Sequence, residues 1–244
     1  MSKKLTTKVI QASHIEPPLI DEMYRLYANY YDETNQPLFN RDLSQKDYVL
    51  LLFDKQENLR GFTTLEILTT TFSAQPVKVI FSGDTIIHHH FWGEQTLPLA
   101  WCHLAGQIKA LSPQLPLFWF LIVKGHRTYR YLNIFSKTYY PHRKQPTPPE
   151  IKTFMDSLAK QKFGKDYCTD TGTVRYTQSH GHLKPEWANE TIKKSPEANF
   201  FYEKNPNADK GHELVCLTEL SEKNLRSFAL RGFCEGVKDE TTIG

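Results

Sequence analysis

Residues 77–140 constrain the fold more than any other part of the chain. An apolar run containing Val77, Val79 and Ile80 is long enough for a buried strand. Residues 97–111 then place apolar side chains at intervals of three and four, which predicts a helix. Leu117–Val123 is a continuous apolar run, as expected of a strand buried on both faces. The stretch therefore predicts a strand–helix–strand (βαβ) unit.

The turn that leads into this helix predicts an anion site. It holds a single glycine, Gly93, three residues before Thr96. A glycine lets a ligand approach the backbone closely, and a helix N-terminus presents unpaired N–H groups to an anion. This turn is the strongest indication of function in the sequence.

The residues before residue 77 predict a meander of strands. Tyr48–Phe53 and Leu59–Phe72 flank a short polar turn, which indicates an antiparallel hairpin that continues into the strand at residue 77. Gly61 within the second strand predicts a bulge or the close approach of another backbone. Farther upstream we expect a short strand within residues 7–14, a helix over residues 19–31 after two prolines, and a short helix over residues 38–46.

The first of these helices carries four tyrosines, Tyr24, Tyr27, Tyr30 and Tyr31. Their spacing is that of one helix face, which fits packing into the core. The same face would also suit the wall of a pocket for an elongated or aromatic group, so both interpretations stay open.

After residue 140 the pattern is less regular. Residues 141–149 carry four prolines and predict a linker or surface strap. We expect a helix over residues 150–163, a strand over 172–178, a polar irregular region over 180–209 with aromatic anchors at Trp187, Phe200, Phe201 and Tyr202, a strand over 213–220, a helix over 221–230, and a frayed end over 232–244.

Composition limits the class of protein. With 244 residues, 39% hydrophobic residues and a formal charge of +3, the chain is long enough for one large domain and falls short of a nucleic-acid-binding composition. Its four cysteines form no C-x-x-C pair, which favours free thiols, with Cys102 at a polar or boundary helix position. There is no apolar signal segment and no run long enough to span a bilayer, so we expect a cytoplasmic protein. A homodimer is left open.

The order of predicted elements resembles that of the GNAT superfamily of acyl-CoA-dependent acyltransferases. The resemblance covers residues 7–140, and the strand near 213–220 would complete the sheet. It implies an α/β fold with a mixed, mostly antiparallel sheet, helices on both faces and a central βαβ unit. It also implies a division into a core of residues 1–140 and an extension of residues 141–244 that completes the sheet and covers the acceptor side.

The signature loop of this superfamily, Gln/Arg-x-x-Gly-x-Gly/Ala, aligns with residues 90–95. Gly93 matches the first glycine, whereas His90 and Gln95 replace the first and last positions. The resemblance implies that the loop holds the diphosphate of acetyl-CoA or a longer acyl-CoA, and that the pantetheine pairs with the strand edge at residues 82–88. No metal is expected. The implied cofactor-binding residues are Ser82, Ile86, Ile87, Trp92, Gly93, Glu94, Gln95, Thr96, Lys124 and Arg127.

Acyl transfer to an amine needs a base for the amine and an acid for the leaving thiolate. Asp84 is the carboxylate in the strand, with Glu66 on its neighbour, and one of three histidines at the strand end, His88, is expected to face the cleft. The superfamily's usual acid is a tyrosine on the helix after the next strand, here residues 125–139, where Tyr129 and Tyr131 are the candidates.

Three functions remain as hypotheses. The first is an acyltransferase acting by direct attack of an amine or hydroxyl of a small or lipid-like acceptor. The second is a catalytically silent protein of the same fold that binds or regulates. The third, a metal hydrolase built on His88, His89 and His90 with His180 and His182, is disfavoured, because adjacent histidines on a strand alternate sides and no carboxylate has a ligand spacing.

Overall fold

The computed structural model describes residues 5–177, 181–188, 195–239 and 243. The described chain mixes strands and helices along its length. The strands are β1 (Thr6–Gln11), β2 (Tyr31–Asp32), β3 (Tyr48–Phe53), β4 (Leu59–Phe72), β5 (Gln75–Ile87), β6 (Leu117–Val123), β7 (Tyr167–Cys168), β8 (Thr173–Val174), β9 (His182–Leu183) and β10 (Glu213–Glu219). The helices are α1 (Pro17–Ala28), α2 (Gln36–Leu43), α3 (Thr96–Ala110), α4 (His126–Phe135), α5 (Pro149–Phe163), α6 (Pro185–Ala188), α7 (Pro196–Lys204) and α8 (Ser227–Lys238).

A mixed sheet organises these elements, in the order β1-β3-β4-β5-β6-β10-β8-β7. Strands β5 and β6 are parallel, and the other paired neighbours in the described part of the chain are antiparallel. This confirms the predicted meander β3-β4-β5, the βαβ unit around α3, and the mixed, mostly antiparallel sheet. Strand β10 pairs with β6, so the terminal strand joins the sheet as expected, at a position that the sequence did not indicate.

Strands β5 and β6 part along their length. Their pairing runs from Lys78 opposite Leu117 to Ser82 opposite Leu121, whereas β5 continues to Ile87. The register of β5 with β4 shifts at the same point, since Thr63 lies opposite Thr85 and Leu65 opposite Ser82, which is a bulge around Gly83. A sheet that is continuous over the first half of β5 therefore opens into a gap over its second half.

Close backbone contact explains the glycine in β4. A Cβ built at Gly61 would lie 2.7 Å from the carbonyl oxygen of Ile86 and 2.8 Å from a methyl carbon of Leu52. The predicted close approach is confirmed.

Helices cover both faces of the sheet. Helices α3, α4, α7 and α8 share one apolar cluster with strand residues such as Leu65, Ile80 and Trp119. On the other face, α1 and α2 pack over β3 and β4, and α5 packs over β6 and β10. The second face thus carries two apolar clusters, and the gap between β5 and β6 opens between them.

The C-terminal part departs from the sequence prediction in several places. The helix expected over residues 221–230 is α8, which begins at Ser227 and runs to Lys238, so the expectation that residue 232 onward frays is wrong up to residue 238. The strand expected over 172–178 is the short β8, and Gln178 and His180 lie outside the described residues. The helix expected over residues 125–139 ends at Phe135. Of the predicted anchors, Phe200 and Phe201 are buried, and Trp187 and Tyr202 are half-buried.

Helix α8 lies so close to α3 that only glycine fits at the crossing. A Cβ at Gly106 would lie 2.1 Å from the carbonyl oxygen of Phe233, and one at Gly236 would lie 1.9 Å from that of His103. Cys102 of α3 is buried at this contact, which corrects its expected boundary position. The four cysteines are free thiols. No helix in the described ranges has both the length and the apolar character that a bilayer crossing demands.

We expect Gly236→Ala to destabilise the protein. Alanine is ordinarily the better helix residue by about 1 kcal/mol, but the added Cβ would overlap the backbone of His103 and force the two helices apart. The net loss in the free energy of unfolding should be about 1–3 kcal/mol in urea denaturation followed by circular dichroism. Gly125→Ala is the control, since a Cβ there has open space in the described structure. An unchanged or raised free energy of unfolding for Gly236→Ala would contradict this packing.

Candidate functional site

Charged side chains gather where β5 and β6 part. Asp84 lies two residues before Ile86, and Glu213 lies two residues before Val215, so both project to the face covered by α1, α2 and α5. Lys124 directly follows β6. Its Nζ lies 3.5 Å from Oε1 of Glu213, and the two side chains are only 15% and 8% exposed. The gap thus contains a buried cation between carboxylates rather than an apolar core.

Burial brings both carboxylates to pKa values near neutrality. Burial raises the pKa of Glu213 to about 7, an effect that Lys124 opposes and Asp84 reinforces. Burial likewise raises the pKa of Asp84 to about 6, with Asp42 reinforcing the effect and Lys124 and Lys46 opposing it. Lys124 stays charged: burial lowers its pKa, but Glu213 and other anionic neighbours raise it more. A group with a pKa near 7 is suited to exchange protons with a substrate.

Glu213 was missed at the sequence level. It is the first residue of a strand whose next four residues are apolar, and an acidic residue directly before that apolar run was its signal. Nothing local shows that β10 docks beside β6 and so places Glu213 against Lys124, which lies far away in the sequence.

The tyrosines of α1 and β2 close one side of the gap. Tyr27 and Tyr31 stack with ring centroids 4.7 Å apart, and Nζ of Lys124 lies 5.0 Å from the Tyr31 ring centroid. Burial raises the pKa of both phenols. Tyr24 and Tyr27 also pack on Phe39. Core packing is therefore confirmed for this face of α1, and at Tyr31 it borders the charged gap.

A polar pocket of about 370 Å³ lies on the same side. Its lining comes from the residue after β2 and from the chain beyond β8, and consists of Glu33, Tyr176, Gly181, His182, Asp209, Lys210, Gly211 and His212. A Cβ at Gly181 would lie 3.2 Å from the hydroxyl of Tyr27. His212 is the residue before Glu213. The pocket is therefore adjacent to the charged gap.

The turn before α3 has the geometry of an open helix N-terminus. Gly93 has a φ of 91°, which favours glycine, and it is exposed. The helix begins at Thr96, whose hydroxyl donates to Oε2 of Glu94 at 3.2 Å. Gln95 donates from its amide to the carbonyl oxygen of Gly93 at 3.1 Å. The Glu94 carboxylate competes with any anion at this turn.

Trp92 and Arg127 lie between this turn and the end of β5. The indole N–H of Trp92 donates to the carbonyl oxygen of Ile87 at 2.8 Å. The guanidinium carbon of Arg127, from α4, lies 4.1 Å from the Trp92 ring centroid, a cation–π contact. Arg127 is thus near the turn, whereas Lys124 is paired with Glu213 inside the gap.

Two other residues that were expected to bind the cofactor contact protein side chains instead. The hydroxyl of Ser82 accepts a hydrogen bond from the indole N–H of Trp119 at 2.9 Å. Ile86 is buried against α1 and α2. Glu66, the second candidate carboxylate, pairs with Lys162.

The tyrosines of α4 lie on the opposite face of the sheet. Tyr129 is fully buried, and its hydroxyl donates to the carbonyl oxygen of Pro141 at 2.8 Å. Tyr131 is half-buried and packs on Phe135. Both belong to the cluster beneath α3, whereas Asp84 faces α1 and α2. The structure therefore does not bring either hydroxyl to the carboxylates.

The three histidines after β5 do not alternate as a strand would place them. Strand β5 ends at Ile87, and His89–Phe91 form a 3-10 turn. This turn gathers His88, His89 and His90 on one side, with one potential ligand atom from each lying within 4.8 Å of the others. The expectation that adjacent histidines cannot share one ion is wrong here, because it assumed a continuing strand.

Comparison with protein-family models and with curated proteins finds no match. Among solved structures, the chain is similar to a conserved Enterococcus faecalis protein of unknown function described as a probable N-acyltransferase. The two are 15% identical with a TM-score of 0.41, over 55% of this chain and 33% of that one. It is also similar to a GNAT family N-acetyltransferase of Escherichia coli in complex with CoA, at 9% identity and a TM-score of 0.39, over 55% and 70%.

A GCN5-related N-acetyltransferase from Kribbella flavida is similar at 10% identity and a TM-score of 0.39, over 55% of this chain and 35% of that one. The matched segments thus span about a third of two of these three proteins. Because identities and TM-scores are low, the function proposed below rests on the chain's own residues.

Lys124→Met should destabilise the protein in a pH-dependent way. At about pH 8.5 it leaves Glu213 and Asp84 as buried charges without their cation, at a cost of about 3–5 kcal/mol in the free energy of unfolding. Both carboxyls have raised pKa values, so they take up protons as the pH falls through about 7 and 6. At about pH 5.5 the cost should therefore be smaller. Urea denaturation at the two pH values measures it, with exposed Lys8→Met as control. Equal costs at both pH values would contradict the pairing.

Proposed function

We propose that the chain is an acyl-CoA-dependent acyltransferase that moves an acyl group to an amine by direct attack on the thioester. The observation that carries the proposal is the pair of near-neutral carboxylates, Glu213 and Asp84, at the point where β5 and β6 part. Thioester aminolysis needs a base that is unprotonated near pH 7, and a sheet opening of this kind gives an extended substrate an edge to bind.

The thioester substrate would lie along β5 beyond Ser82. Residues 83–87 continue past the last pair with β6, so they can bond the amides of the pantetheine chain as an added strand would. The open turn at Gly93 would receive the diphosphate at the start of α3. Arg127 supplies positive charge nearby, which offsets the Glu94 carboxylate.

The acceptor would enter through the polar pocket. Its carboxylates, Glu33 and Asp209, suit a cationic amine, and its mostly polar lining suits a small polar acceptor. Most of its lining lies beyond residue 140, so we propose that residues 141–244 cover the acceptor side.

Glu213 is the base in this proposal. It takes a proton from the acceptor ammonium, and the amine then attacks the thioester carbonyl carbon. The C–S bond breaks as the tetrahedral intermediate collapses and CoA leaves as its thiolate, which takes up the second proton that the attacking nitrogen loses as the amide forms. The buried ammonium of Lys124 stabilises negative charge on the carbonyl oxygen or the thiolate. Asp84 keeps the pKa of Glu213 high. Tyr129 and Tyr131 have no role here.

A catalytically silent binder is the second candidate. Its supporting observation is the bond from Trp92 to the carbonyl oxygen of Ile87, which caps the outer end of the open β5 edge. Acyl-CoA binding without thiol release from any amine or alcohol would favour this candidate.

We expect Glu213→Gln to lower kcat about 100-fold or more. The measurement is CoA thiol release from acetyl-CoA and a long-chain acyl-CoA with a panel of small amines and alcohols. Glu219→Gln, at the exposed end of the same strand, is the control and should keep full activity. Thermal shift with CoA should show that both variants still bind. Full turnover in Glu213→Gln would refute the base, and no stabilisation of the wild type by any CoA derivative would refute the proposal.

The pH profile should identify the base. With Glu213 as base, kcat/KM rises with pH and levels off above about 7, because the unprotonated carboxylate is the active form. Asp84→Asn removes a carboxylate that raises the pKa of Glu213. The rise of kcat/KM should therefore occur at lower pH in this variant, while turnover continues. Loss of turnover in Asp84→Asn, with turnover retained in Glu213→Gln, would instead assign the base to Asp84.

A further inference from the structure

We propose that His88, His89 and His90 bind one divalent transition-metal ion. The inference is independent of the proposed acyl transfer. One potential ligand atom from each residue lies within 4.8 Å of the other two. The rings of His88 and His89 stack at 4.4 Å, and the ring of His90 lies across them at 4.8 Å and 4.3 Å. Three imidazoles therefore lie within one small volume, with a potential ligand atom from each close to the other two.

The 3-10 turn explains this proximity. The last hydrogen bond between this strand and β4 is donated by the N–H of His88, directly after β5, to the carbonyl oxygen of Arg60 at 2.8 Å. The chain then turns, and the N–H of Phe91 donates to the carbonyl oxygen of His88 at 2.8 Å. Tetrahedral zinc with Zn–N bonds of about 2.0–2.1 Å places its nitrogens about 3.4 Å apart. The lone pairs of stacked imidazoles run nearly parallel, so binding requires the His88 ring to rotate out of its stack on His89.

Tyr30 and Trp187 hold the central histidine in place. The hydroxyl of Tyr30, a buried residue, accepts the backbone N–H of His89 at 2.7 Å and lies 3.0 Å from its Nδ1. The Trp187 ring stacks on the His89 ring at 4.8 Å. A hydrogen bond to one ring nitrogen fixes the orientation in which the other binds a metal. When Nδ1–H donates to this hydroxyl, Nε2 of His89 is the unprotonated nitrogen that can bind a metal ion, on a ring whose orientation is already fixed.

The other two histidines can adjust. Nδ1 of His88 accepts the N–H of His90 at 3.3 Å, a long bond that a metal ion bound at that nitrogen would replace. His90 is exposed, which gives an ion a path from solvent. Three imidazoles with neither thiolate nor carboxylate suit Zn²⁺, Cu²⁺ or Ni²⁺. Three ligands leave further coordination positions for water or a ligand.

The test is metal titration of the full chain, purified without a histidine tag and stripped with a chelator. Isothermal titration with Zn²⁺ and Ni²⁺ should give one ion per chain, and Co²⁺ should give an absorption spectrum of nitrogen-ligated cobalt. His88→Ala, His89→Ala and His90→Ala should each weaken binding at least tenfold. Tyr30→Phe should weaken it about tenfold or more, because it loosens His89. His103→Ala, a half-buried histidine on α3, is the matched control.

Folding of each variant is checked by circular dichroism and thermal unfolding without metal. Where His89→Ala does not fold, His89→Gln with intact structure takes its place. Binding of equal affinity in the triple variant His88→Ala, His89→Ala, His90→Ala would overturn the proposal. Absence of binding at micromolar metal would overturn it too, as would half an ion per chain, which indicates an ion shared between two copies. None of these readouts depends on acyl transfer.

Discussion

The buried pairing of Lys124 with Glu213 is the interaction on which the centre of this structure depends. Charges taken out of water are costly unless a partner and a defined geometry compensate them. Here the compensation requires β10 beside β6, an opening between β5 and β6, and the tyrosines of α1 at its border. The two apolar clusters on this face meet across that charged opening. The chain thus maintains, at some cost in stability, a polar interior that a continuous sheet would have excluded.

Local pattern was sufficient for much of the fold. Tyr48–Phe53, Leu59–Phe72 and Leu117–Val123 were predicted to the residue, because each is an apolar or β-branched run bounded by turn residues or by a proline. The parallel pairing of β5 and β6 followed from the intervening helix. Helix α8 was misplaced because its glycines lower helix propensity, and the reason for them is contact with α3, which local pattern does not contain.

The candidate site was predictable in part. Asp84 and Gly93 were chosen because strand ends and helix starts are visible in sequence; the structure places Asp84 at the gap and Gly93 in the turn before α3, and their roles stay predictions. Glu213 was not, since its importance arises from a neighbour distant along the chain. Tyr129 was chosen by its place on a helix, but its hydroxyl donates a hydrogen bond to the carbonyl oxygen of Pro141, where the chain returns past α4. The histidines were misjudged for a different reason: periodicity of two holds only while a strand lasts, and β5 ends one residue before them.

The position of β10 between β6 and β8 has a consequence for how the protein is made. Lys124 and Asp84 emerge from the ribosome well before Glu213, so a growing chain holds the cation and one carboxylate without the third charge. Only docking of β10 completes the set. A nascent chain would therefore bury its polar centre late. The complete set of Asp84, Lys124 and Glu213 would exist only once β10 has joined the sheet.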